Sequence, residues 1–288
     1  MNTLKNVILT GILAILFSCQ SQKTDREVED DFVEKYASSD LDTHGFKLAV
    51  DSKVPEVHQL LNDLQRNFYF YGDKEEFERK AARVIELDPA NASGYLFAGF
   101  YEMDPEKYKD KVTAAYELSK NATLKSERYM LQAEHFLLVE ENYPKAQEYF
   151  QKVVDIYPDC AAAVLSLGMS YYYNGEYDKA FECYKKSTEL IPNLPKGYEF
   201  MSIMAYTKED YKKALEYLEK AIEYGANPKN DFYYAEYVAM VYNRNAMYQQ
   251  TKDYITEVRT YGELYRNSDM LNKISEVVTA KLDSIQGR

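Results

Sequence analysis

Between Ala161 and Leu194 the apolar and small residues return every third or fourth position. Val164, Leu167, Gly168 and Tyr171 make one such run, and Tyr177, Ala180 and Tyr184 make the next after a break at Gly175. That spacing gives each of two helices one apolar stripe, joined by a short turn. The pattern repeats along the chain: Tyr143-Pro144-Lys145-Ala146, Tyr177-Asp178-Lys179-Ala180 and Tyr211-Lys212-Lys213-Ala214 stand 34 residues apart. A fixed period of this length predicts stacked helical hairpins. Each hairpin buries its apolar face only against its neighbours, so the expected shape is an elongated solenoid with a long open surface. Pro89, Pro158 and Pro192 recur at the ends of second helices, where proline lacks the amide donor that a continuing helix needs.

Small residues mark where the two helices of a hairpin cross. Gly168 and Ala180 hold those places, and Leu167, Tyr171 and Tyr184 fill the space around them. The small residue is replaced by Glu134 and Glu236 on two first helices, and by Phe77, Lys111 and Tyr248 on three second helices. Ala226 is expected in an exposed turn. Past Arg266, Ser268 can cap a last helix whose apolar residues Met270, Leu271, Ile274, Val277, Val278, Leu282 and Ile285 share one face, which predicts a solubilising end cap.

The offsets Val164-x2-Leu167-Gly168-x2-Tyr171, then Ala180-x3-Tyr184 and Pro192, resemble the tetratricopeptide repeat, with Val164 and Tyr184 where that family has Trp and Phe. The same register steps outward to repeats beginning near His58, Ala92, Glu127, Pro195 and Lys229. The resemblance implies an all-α fold, a right-handed superhelical solenoid of tetratricopeptide (TPR) hairpins, with about six repeats over residues 54–266 and a C-terminal capping helix over 267–288. In that family the first helices line a concave groove that takes a protein or peptide partner. Carried over position by position, the lining here is Phe100, Arg128, His135, Met169, Tyr172, Tyr173, Tyr206, Tyr233 and Tyr237. A tight superhelix, or an N-terminal segment folded back, would fill the groove instead. The family's carboxylate-clamp subtype is not matched, since its fifth positions fall on Asn62, Leu96, Leu131, Leu165, Glu199 and Tyr233.

The N-terminus has a different character. Residues 1–18 read as a signal peptide, with Lys5 ahead of an apolar stretch from Val7 to Phe17 that is too short to span a bilayer. Leu16-Phe17-Ser18-Cys19 resembles a bacterial lipobox, which implies lipidation of Cys19 as the new N-terminus. A multiply acylated cysteine anchors stably where a single chain does not. Gln20 stands where an Asp would direct retention at the inner membrane, so the expected address is the bacterial outer membrane, facing the periplasm, with surface exposure left open. Within residues 19–53, read as the lipidated Cys and its tether, the acids from Gln20 to Gly45 are Asp25, Glu27, Glu29, Asp30, Asp31, Glu34, Asp40 and Asp42, and they face Lys23, Arg26 and Lys35. That balance predicts an acidic, solvated tether.

A net charge of −12 without a basic cluster argues against nucleic acid, because a phosphate-binding face needs gathered Lys and Arg. His44, His58 and His135 are far apart, with no cysteine or acid at ligand spacing, so no metal is expected; no phosphate loop or dinucleotide fingerprint is present, so no cofactor is expected either. No nucleophile stands beside a base at catalytic spacing, and the expectation is a protein that is not an enzyme. Cys160 and Cys183 are placed too differently on their helices for a disulfide to be expected. The 29 tyrosines with no tryptophan are the compositional anomaly. Tyr171, Tyr177 and Tyr184 are expected in the repeat cores, and the groove tyrosines are left for contact with a partner. The expected function is a protein-binding scaffold, a lipoprotein holding an envelope protein or peptide; the alternative is a glycan- or nutrient-binding accessory lipoprotein, disfavoured by the lack of tryptophan.

Overall fold

A computed structural model describes residues 23–38, 50–70, 72–100, 102, 104–227 and 231–287. The expected signal peptide and Cys19 lie outside these residues. Among the described residues there are 15 α-helices and no strand. A separate helix α1 (Asp25–Tyr36) precedes six hairpins: α2 (Pro55–Tyr69) with α3 (Lys74–Leu87), α4 (Ala92–Gly99) with α5 (Pro105–Ser119), and α6 (Lys125–Leu138) with α7 (Tyr143–Ile156). They continue as α8 (Ala161–Tyr173) with α9 (Tyr177–Leu190), α10 (Pro195–Thr207) with α11 (Tyr211–Glu223), and α12 (Phe232–Arg244) with α13 (Tyr248–Val258). A 3-10 turn, the short α14 (Glu263–Arg266) and α15 (Asp269–Ile285) complete the chain.

The hairpin α8–α9 shows why this sequence folds so. Every residue from Ala161 to Gly168 is buried, because α8 is covered by its own partner and by both flanking repeats. A Cβ on Gly168 would stand 2.6 Å from the ring of Tyr184, so only a residue without a side chain lets α9 come this close. The chain then turns through Gly175 at φ +76°, and the Glu176 amide donates back to the Tyr171 carbonyl at 2.9 Å, closing the helix end. Neighbouring repeats make the same turn with Glu141 at φ +51° and Glu209 at φ +60°. In these two neighbouring repeats the second helix starts on a side-chain cap, where Asn142 and Asp210 accept from the amides of Lys145 and Lys213. Successive hairpins meet closely too, since a Cβ on Gly197 would stand 2.6 Å from Thr188.

At the C-terminal end Ser268 accepts from the Leu271 amide at 3.0 Å, and Leu271, Ile274 and Val278 share a buried cluster with Ala235, Ile255 and Val258. The outer side is less polar than expected of a cap: Met270, Val277 and Ile285 are exposed, because a stripe this wide outruns the surface that α12 and α13 offer. Ala226 is also not where the sequence placed it. It is buried beside Leu218 and Tyr234, where the chain leaves α11 for the next hairpin.

The largest departure is at the N-terminus. Residues 25–36, expected within a solvated tether, form α1, which opens on a capping box between Thr24 and Glu27. Its Phe32 and Val33 pack against the central core, and Glu29 is buried against α6, accepting from the Ser126 amide at 2.9 Å and the Ser126 hydroxyl at 2.5 Å. Charge tally alone marks this segment as solvated, whereas its three- and four-residue spacing gives Glu29, Phe32 and Val33 one face.

Ala180 is fully buried and Ala280 is exposed on α15. Ala180→Leu is expected to destabilise by about 1–3 kcal/mol through overpacking, while Ala280→Leu stays within about 0.5 kcal/mol. Urea unfolding midpoints of the two variants check this, and equal shifts would contradict the close crossing.

Candidate functional site

The concave face of the central repeats is floored by α6, α8 and α10, and it is already occupied. The end of α2 reaches across it: Tyr69 and Phe70 pack against the core cluster that holds Ala162 and Leu165, and the Lys196 ammonium lies 5.7 Å from the Phe68 ring centre. Tyr69 hydrogen-bonds with Ser166 on α8, and its burial pushes the phenol pKa up. The open groove expected from the repeat pattern is therefore filled over this stretch by Phe68, Tyr69 and Phe70 of the first repeat.

Beneath that plug lie ionisable groups in an apolar setting. Lys196 stands 3.1 Å from Glu199 and 3.3 Å from Asp231, with both Lys196 and Glu199 buried. Burial lowers the Lys196 pKa and holds that of Glu199 well above the ordinary carboxyl range. Glu134, the large residue at a crossing position, is also buried; desolvation raises its pKa to about 7, against a smaller opposing effect of a hydrogen bond with Ser166. Among the described residues no group of three His, Cys, Asp or Glu side chains is arranged to hold a metal ion. Cys160, buried, and Cys183 are free thiols.

The nine expected groove residues part company. Phe100 belongs to the core of the first two repeats, its ring 4.6 Å from Phe68 and 5.3 Å from Phe97. His135 is buried and stacks on Tyr116 of α5 at 4.2 Å, so it packs between helices instead of facing the groove; desolvation lowers its pKa. Met169 is half-buried against the central core, and Arg128 lies over the ring of its neighbour Tyr129. Tyr233 projects into solvent with 72% of its surface exposed, touching Phe232 edge-on. The remaining four, Tyr172, Tyr173, Tyr206 and Tyr237, come together with residues that the groove reasoning missed.

Three of those four meet tyrosines at the start of the second helices, and Tyr237 meets Tyr206. Tyr173 stacks on Tyr143 at 5.8 Å and meets Tyr172 at 5.3 Å, and Tyr172 reaches Tyr177 at 5.8 Å. One repeat on, Tyr206 contacts Tyr211 at 5.1 Å and Tyr237 at 5.7 Å. Arg244 closes this group, donating to the Tyr206 oxygen at 3.4 Å and lying 5.4 Å over Tyr211. Ser202 fixes Tyr237 by a 2.6 Å hydrogen bond. The result is an aromatic stripe along the edge where first helices end and second helices begin. Tyr173 and Tyr177 are its most open members, 50% and 39% exposed. Of the tyrosines expected in repeat cores, Tyr184 is fully buried, Tyr171 half-buried and Tyr177 on this surface. The signal was present in the 34-residue recurrence of Tyr143, Tyr177 and Tyr211: an aromatic at the first position of a helix sits beside the turn, beyond the crossing that buries position eight.

Residues 161–194 and 197–227 each match a family model described as the tetratricopeptide repeat. The chain carries tetratricopeptide repeats. A chain in the crystal structure of the APC/C hetero-tetramer Cut9-Hcn1 superposes on this tetratricopeptide solenoid with a TM-score of 0.56 at 15% identity. The match covers 78% of this chain and 42% of that one. A structure of an IFIT1 monomeric mutant with Gppp-AAAA superposes with a TM-score of 0.57 at 13% identity over 80% of this chain and 56% of that one. The chain thus spans about half the length of these structural relatives, and identities this low concern the fold alone. No curated protein matches the sequence. Tetratricopeptide repeats generally serve as non-catalytic scaffolds for contacts between proteins.

The Glu134 carboxyl, raised from 4.5 to about 7, favours the folded state while it stays protonated. Its contribution is complete below its ordinary pKa and is lost as pH rises through about 7. Glu134→Gln is therefore expected to leave stability near pH 4.5 almost unchanged and to raise it at pH 8 by up to about 3 kcal/mol relative to the parent chain. Urea midpoints at the two pH values check this. Parallel curves for parent and variant would show that Glu134 does not carry the pH dependence.

Proposed function

We propose that this protein is a non-catalytic scaffold, held by lipid at Cys19 on the bacterial outer membrane, that receives an envelope protein or peptide on its tyrosine stripe. The observation that carries the reading is the stripe itself: tyrosines from consecutive repeats, gathered along one edge and partly open to solvent, in a solenoid whose concave face is filled by its own first repeat. Tyrosine offers a large rigid contact area with a hydrogen-bonding tip, and such residues anchor protein interfaces at small entropic cost. Repeat scaffolds commonly use surfaces built from equivalent positions of successive repeats, and the stripe has that origin. Open tyrosine faces also suit stacking on sugar rings, so a glycan is the second ligand to examine.

The test joins binding to stability. Replacing Tyr173 and Tyr177 together by Ala is expected to leave the thermal melt nearly unchanged, since both are exposed, and to weaken partner capture by crosslinking from native envelopes at least about tenfold, as aromatic anchors commonly contribute about 2 kcal/mol each. Tyr184→Ala, fully buried, is expected to lose about 3–5 kcal/mol of stability. Capture that survives the double replacement would move the binding surface elsewhere. Saturable glycan binding by the parent chain, lost in the double variant, would replace the protein partner by a sugar. Cys19→Ala is expected to release the chain from the membrane fraction without altering its helicity; retention through alkaline washing would contradict lipid anchoring.

A further inference from the structure

The docked helix α1 decides which edge of the solenoid lies nearest to whatever holds Cys19. From Cys19 to the helix cap Thr24 is five residues, a span of at most about 18 Å when fully extended. From Cys19 to the first hairpin at Pro55, a free chain would average roughly 30–35 Å end to end and would leave the solenoid able to turn in any direction. The contacts of α1 remove that freedom.

Three side chains fix the helix. Asp25 pairs with Lys125 at 2.8 Å. Arg26 reaches Asp159 at 3.2 Å and lies 4.0 Å over the Tyr157 ring. Glu29, 1% exposed, accepts from the amide and hydroxyl of Ser126. The last contact has a structural reason: α6 begins at Lys125 behind the cap residue Leu124, which offers no side-chain acceptor, and Glu29 supplies one to the second amide of that helix from outside it. Lys125, Ser126 and Asp159 all lie where first helices begin. The tyrosine stripe lies where those helices end. For α8, with 13 residues, the separation is about 20 Å.

We propose that α1 is a clamp that presents the edge bearing Lys125 and Asp159 to the lipid surface and points the tyrosine stripe away from it, toward the aqueous space where a partner arrives. This rests on the lipid anchor proposed above. The orientation comes from the short connection and the docked helix, without adhesion of the edge, which carries exposed groups of both signs, among them Lys23, Lys125, Asp30 and Asp31.

The experiment is energy transfer to a headgroup-labelled acceptor in phosphatidylcholine vesicles carrying the full lipidated chain. A donor dye is placed on a cysteine introduced at Asn121, in the turn on the clamp edge, or at Asn174, in the turn on the stripe edge; both are exposed, and Cys183→Ser provides the background. Transfer from residue 121 is expected to be roughly twofold stronger than from residue 174, given the ~20 Å between the edges. The double variant Arg26→Ala with Glu29→Ala is expected to bring the two signals together while circular dichroism stays that of the parent. Equal transfer in the parent chain, or stronger transfer from residue 174, overturns the clamp whatever the variant does. A second arm separates this from the anchor: a chain with a hexahistidine tag in place of residues 1–19, bound to nickel-chelating vesicles, keeps the same short connection. If it shows the stronger transfer from residue 121 while the native chain fails to join vesicles, the clamp stands and lipid anchoring at Cys19 falls. If it shows none, the clamp falls independently of the anchor.

Discussion

Everything in this molecule depends on how closely two helices of one hairpin can approach. At Gly168 the ring of Tyr184 stands where a side chain would otherwise be, and Ala180 completes the crossing from the other helix. Because the gap is set there, the turn that follows must be short, and the backbone must bend through a positive φ at Gly175 to return on itself. The short turn then places Tyr172 beside Tyr177, and the next repeat places Tyr206 beside Tyr211 by the same construction. The surface proposed for partners is thus a by-product of the packing constraint, repeated.

The repeat itself was readable from the residues because its determinants are local. Spacing, small crossing residues and capping groups act within about one hairpin, and positions such as Gly168, Ala180 and Ser268 fall where those rules put them. The site was readable only in part. Tyr172, Tyr173, Tyr206 and Tyr237 come together, while His135 turns inward onto Tyr116 and Phe100 joins the neighbouring core. The filling of the concave face by Phe68, Tyr69 and Phe70 could not be read from offsets, since it depends on small rotations between repeats that accumulate along the stack. The docking of α1 was hidden for another reason: a run of acids looks solvated by charge, yet a single glutamate on the inner face can serve as a helix cap for a distant segment.

The interior also carries polar groups that a purely apolar repeat would not need. Glu134 replaces the usual small residue at a crossing and stays mostly neutral near pH 6, and Lys196 sits with Glu199 and Asp231 beneath the first repeat. Such buried ionic groups add little net stability compared with well-packed apolar residues, but they penalise any arrangement that leaves them unpaired. Here Lys196 pairs with Glu199 one turn along its own helix and with Asp231 of the next hairpin, and Glu134 bonds with Ser166 of the next repeat, so each repeat is held to its neighbour in one arrangement.

The contact between Phe68 and Lys196 changes what kind of object the solenoid is. An open stack of repeats is nearly one-dimensional, with each unit held by its two neighbours and free to fray from either end. A bridge from the first hairpin to the fifth closes that line into a loop of mutual support. The N-terminal repeat cannot then peel away without exposing the central core beneath Tyr69 and Phe70 and the buried charges around Lys196, a constraint that couples its opening to that of the middle of the stack.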